Sequence, residues 1–96
     1  MNALKNNPFR LLALSMTLFA SATVWAGPTC TEANQSEWKN AEAFQADLVK
    51  QGYTIKKFKV TKGNCYEIYG HNAEGKKVEI YFDPVTGNKV KEEIDD

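Results

Sequence analysis

The sequence predicts an α+β fold: one N-terminal amphipathic helix packed on a three- to four-stranded antiparallel sheet, with one disulfide. Three observations lead there. One segment alone carries apolar residues at helical spacing, three later runs are rich in β-branched and aromatic residues between turn signals, and the chain's two cysteines both follow an export leader.

The leader occupies residues 1–26. Lys5 and Arg10 form a positive n-region, the run from Leu11 to Ala20 a short apolar h-region, and Val24-Trp25-Ala26 a cleavage site before Gly27. The run is too short and too interrupted by Ser and Thr to remain as a spanning helix. Cleavage after Ala26 leaves residues 27–96 as a single domain delivered to the periplasm or beyond, with no membrane insertion afterwards. A domain of about 70 residues sits near the lower size limit for a self-sufficient core. Cys30 and Cys65 both survive cleavage into an oxidising compartment, so a bridge between them is expected to supply part of the missing stability.

Loss of Lys5 and Arg10 from twelve basic residues leaves ten against twelve acidic ones. A mildly acidic domain lacks the basic surface that counterion release from nucleic acid requires, so nucleic acid is not an expected partner. The C-terminal run Glu92-Glu93-Ile94-Asp95-Asp96 reads as a solvated acidic tail.

In the helical segment Asn34 or Ser36 is placed to cap, Glu37 lies in the first turn, and Gly52 is the stop. Trp38, Ala41, Phe44 and Leu48 recur at steps of three and four and form its apolar stripe. The strand runs are Tyr53 to Thr61, Cys65 to His71 and Lys77 to Asp83. Three-residue loops at Lys62-Gly63-Asn64 and Ala73-Glu74-Gly75 set the register: Val60 opposite Tyr66, Phe58 opposite Ile68, and Ile68 opposite Ile80. Tyr53 and Ile55 are out of phase with Phe58 and Val60, which predicts a bulge near Lys56 and Lys57. Asp83-Pro84-Val85-Thr86-Gly87 is a turn that can return a short fourth strand through Val90.

With this register the second sheet face displays Lys57, Lys59, Glu67, Tyr69, His71, Lys77, Glu79 and Tyr81. Such a face is either simply solvated or a protein-binding surface, for which Glu67, Tyr69, His71, Glu79 and Tyr81 are the candidate residues. Cys65 falls on this side too, so Cys30 must reach it around a sheet edge or end.

No catalytic set is predicted: the mature domain has one histidine, and Glu67 with Glu79 is a weak acid/base pair with a tyrosine beside each. No metal-binding spacing, haem motif or phosphate loop occurs, and no cofactor is expected.

As a whole pattern the chain resembles a short, exported, stand-alone PepSY domain protein. The resemblance is carried by Trp38, Gly52-Tyr53, Asn64-Cys65-Tyr66-Glu67-Ile68-Tyr69, Glu74-Gly75-Lys76, and Val78-Glu79-Ile80-Tyr81-Phe82-Asp83-Pro84-Val85-Thr86-Gly87. It implies a non-enzymatic, protein-binding module that restrains or regulates a peptidase or another envelope protein. The alternative from another class is an accessory factor for an envelope electron-transfer or metal-handling system, using His71 with nearby carboxylates or the cysteine pair.

Overall fold

A computed structural model describes residues 27–95. The leader lies outside the described residues. An N-terminal arm leads into a single 3-10 turn at Gln35–Glu37, then helix α1 (Ala41–Lys50) and strands β1 (Thr54–Val60), β2 (Tyr66–His71), β3 (Lys77–Phe82) and β4 (Lys89–Asp95). The four strands form one antiparallel sheet in sequence order, with α1 against one face.

The helix begins later than the sequence suggests. Trp38 closes the 3-10 turn with extended backbone, and Asn34 makes no side-chain cap bond. Asn40 is the cap instead, its Oδ1 accepting from the Ala43 amide at 2.9 Å. Tertiary contacts hold the chain extended just before it: the Lys39 amide donates to the Pro84 carbonyl at 2.7 Å, and the Tyr66 hydroxyl donates to the Lys39 carbonyl. Trp38 therefore joins the core from outside the helix, edge-on to the Tyr66 ring with centroids 5.7 Å apart. The other end of the helix matches the sequence reading. Gly52 takes φ +106°, and the amides of Gly52 and Tyr53 close onto the carbonyls of Val49 and Leu48.

The register is the one the turns dictate. Val60 faces Tyr66, Phe58 faces Ile68, and Ile68 faces Ile80, with a shift between Ile55 and Lys57 at the expected bulge. Phe44 and Leu48 of α1 meet Tyr66, Ile68, Val78, Ile80 and Phe82 across one continuous core. Gly70 belongs to the same inner face, and its missing side chain is structural: a Cβ there would stand 1.8 Å from the Thr54 carbonyl oxygen. Only glycine lets β1 approach β2 at the bulge.

The Asp83–Gly87 turn forms as its residues suggest, with Asp83 Oδ1 accepting from the Val85 amide at 2.8 Å and Gly87 at φ +82°. Beyond this turn the chain forms a full strand. Residues Glu92 to Asp95 of the run that reads as a tail belong to β4, because an edge strand needs backbone pairing rather than apolar side chains, and exposed charges suit its free edge.

Candidate functional site

The sheet's outer face, away from α1, is organised as three cross-strand rows fixed by the pairings. Lys59, Glu67, Tyr81 and Lys91 make the first, Lys57, Tyr69, Glu79 and Glu93 the second, and His71, Lys77 and Asp95 the third. All five candidate residues lie here, so the sequence reading places them on one surface. Their accessibility differs from that reading.

The first row is closed at its centre, while Lys59 at its β1 end is exposed. Glu67 is 1% exposed and Tyr81 7%, which corrects the expectation of an open face at these two residues. Over Tyr81 the covering segment is the arm at residues 27–31. Cys30 is bonded to Cys65 across a separation of 35 residues, the Cys30 amide donates to the Gly63 carbonyl at 2.9 Å, and Asn64 Nδ2 donates to the Thr31 carbonyl at 3.3 Å. These bonds draw the arm over the β1–β2 turn, which Gly63 permits because a Cβ there would lie 2.1 Å from the Pro28 carbonyl oxygen. The arm then carries Gly27, at φ +90°, onto the Tyr81 ring, where an added Cβ would be 3.2 Å from Cε2 and 3.5 Å from the hydroxyl.

Inside this closed end the side chains form a small polar cluster. The Tyr81 hydroxyl donates to Glu79 Oε2 at 2.9 Å, and Lys59 Nζ stands 3.9 Å from Glu67 Oε1. Glu67 Oε2 is buried without a hydrogen-bond partner. Burial, then its approach to Glu79, raises the Glu67 pKa above the usual carboxylate range, whereas the hydrogen bond from Glu67 holds Glu79 below it. The two carboxyls are thus driven apart in acidity, Glu67 upwards and Glu79 downwards. Tyr69 is pushed up chiefly by its hydrogen bond to Glu67, and Tyr81 chiefly by burial, so both phenols stay protonated and act as donors.

The far end is open. Tyr69, His71 and Glu79 are half-buried around a groove that also includes Lys77, Glu93 and Asp95. Lys57 Nζ lies 5.7 Å from the Tyr69 ring centre. This end offers an aromatic edge, an imidazole and charges of both signs within one concave patch.

Among the described residues no group of three or more His, Cys, Asp or Glu side chains could hold a metal ion, and no helix is long and apolar enough to cross a membrane. Both cysteines are consumed by the bridge, so the electron-transfer or metal-handling alternative retains neither thiol.

The family model for the peptidase propeptide and YPEB domain matches residues 10–93, and the chain belongs to that family. Its members are propeptide- and inhibitor-like modules, generally non-catalytic and typically extracellular or periplasmic. No curated protein and no solved structure shows significant similarity to the chain.

Proposed function

We propose that the protein is an exported, non-enzymatic regulator that binds and restrains a peptidase of the cell envelope, using the open end of its outer sheet face. The leader residues support export to the periplasm, and the family supports peptidase regulation. The observation that carries the choice of surface is the groove at Tyr69, His71 and Glu79. It combines a half-buried aromatic side chain with mixed charge, at the end of the face that the arm leaves uncovered. The free edge of β1 extends the same surface. Its exposed Lys56, Lys57 and Lys59 deter uncontrolled strand addition while leaving backbone groups for a chosen partner.

The test uses signal-cleaved protein added to peptidases fractionated from the native envelope, with peptide hydrolysis as readout. Dose-dependent inhibition of one fraction is the expected result. Tyr69→Ala combined with His71→Ala should weaken it by at least about tenfold, as a truncated interface anchor does. The urea midpoint should stay close to that of the parent. No inhibition in any fraction, or full inhibition by the double variant, would overturn the assignment of function or of surface respectively.

A further inference from the structure

The arm ends its described course on the most polar part of the closed end. Gly27 is pressed against Tyr81, whose hydroxyl is bonded to Glu79, and beside them Glu67 keeps a buried carboxylate oxygen with no partner. A buried orphan acceptor needs a donor, and a carboxyl pair with two phenols around it is chemically suited to a primary ammonium. The backbone geometry of Gly27 places its nitrogen within about 6 Å of the Tyr81 hydroxyl. Cleavage after Ala26 converts that nitrogen from a peptide amide into a cationic amine.

We propose that the Glu67–Glu79–Tyr81 cluster is a binding site for the α-ammonium of Gly27, created when the leader is removed, so that processing supplies a donor for the Glu67 oxygen left without a hydrogen-bond partner. The inference rests on the export reading, because it needs cleavage after Ala26. Hydrolysis of the Ala26–Gly27 bond consumes one water. It leaves a carboxylate on the released leader and an amine on Gly27 that is protonated at neutral pH. The anchoring of the arm makes the site specific to this amine: the disulfide and the Gly63 and Asn64 bonds fix residues 30 and 31, Pro28 restricts the backbone, and Gly27 has no side chain to clash with the Tyr81 ring.

Other charges face the cluster from each neighbouring strand. Lys59 on β1 lies 3.9 Å from Glu67 Oε1, Tyr69 comes from β2, and on β4 Lys91 bonds Glu93 at 3.1 Å while helping to hold Glu79 ionised. Glu67 Oε2 has none of them as a hydrogen-bond partner and is the acceptor left for the ammonium.

The test titrates the Gly27 α-amine by carbon NMR of glycine-labelled protein purified after processing in its native compartment, with the intact mass recorded first. An α-amino pKa raised by about one unit above the ordinary 7.7–8.0 is expected. Glu67→Gln should return it to the ordinary value, and if that variant does not fold, Glu79→Gln should lower it instead. A chain beginning at Ala26, whose amine is displaced by one residue, should titrate normally. A mass that places the processed terminus elsewhere would overturn the proposal at the export reading. An ordinary α-amino pKa on a chain that does begin at Gly27, or a raised one untouched by the folded glutamate variant, would overturn it at the site.

Discussion

Breaking the disulfide should bring this domain to the edge of unfolding. Cys30 and Cys65 are 35 residues apart, and closing a loop of that length stabilises the folded state by about 4 kcal/mol in the chain-entropy model. A domain of this size has a total stability of roughly 4–10 kcal/mol, so the bridge accounts for a large share of it. With a urea m-value of about 1 kcal/mol/M, the midpoint should fall by about 3–4 M, and the melting temperature by roughly 15–30 °C. Trp25 falls in the expected leader, so a chain processed after Ala26 would keep Trp38 as its single tryptophan. Its edge-on packing against Tyr66 makes its fluorescence a direct report on the core. Urea titrations of Cys30→Ala, Cys65→Ala and the double variant separate two contributions. Each single change opens the bridge, but only Cys65, fully buried, leaves a gap inside the fold, so Cys65→Ala should be the more damaging. Cooperative unfolding of the double variant within about 1 M of the parent midpoint would refute the argument.

Three further outcomes depend on particular atoms. Gly70→Ala should cost about 2 kcal/mol or more and unprotect the β1 amides in hydrogen exchange, because its Cβ would meet main-chain oxygen; Gly75→Ala, with open space but φ +83°, should cost only about 1 kcal/mol. Asn40→Ala should lower stability by about 1 kcal/mol in urea titrations while Asn34→Ala leaves it nearly unchanged, since only Asn40 makes a cap bond. In protein whose N-terminus is acetylated, stability should decline as pH rises from about 4.5 through the raised folded pKa of Glu67, because the folded state retains a proton that the unfolded chain has released. Glu67→Gln should flatten that limb, and below the usual carboxylate range the lowered pKa of Glu79 should impose a fall in the opposite direction, both read by urea unfolding across the pH series.

The features legible in the residues alone are those set by local interactions. Strand register is dictated by side-chain alternation together with turns only a few residues long, so Gly75 fixes Ile68 opposite Ile80, and the phase break between Ile55 and Phe58 marks the bulge. The helix start is less legible because Trp38, Ala41, Phe44 and Leu48 keep their spacing whether or not Trp38 is helical. The bonds that hold residues 38–40 extended come from Pro84 and Tyr66, far along the chain. β4 is obscured by its charges, which say solvent-facing without saying whether the backbone is paired. Burial of Tyr81 depends on an arm about 50 residues away in sequence, beyond any periodicity signal. A cue exists in Cys65 itself: once it falls on the outer side, a bridge to Cys30 must bring the arm over that side.

That covering divides labour along a sheet which has two faces and, among the described residues, one α-helix. Near the arm, Gly27 covers the Tyr81 ring and the disulfide ties the arm down, and the polar side chains there partner one another. At the other end the second and third rows keep Tyr69 and His71 half-exposed. A variant meant to separate binding from folding must respect this boundary. Tyr81→Ala would remove a buried ring and the donor to Glu79, so weakened binding in that variant would not distinguish a lost contact from a loosened fold. Tyr69 and His71 lie on the open side of the boundary, and changes there can diminish partner affinity while the Trp38–Tyr66 packing beneath the opposite face stays intact.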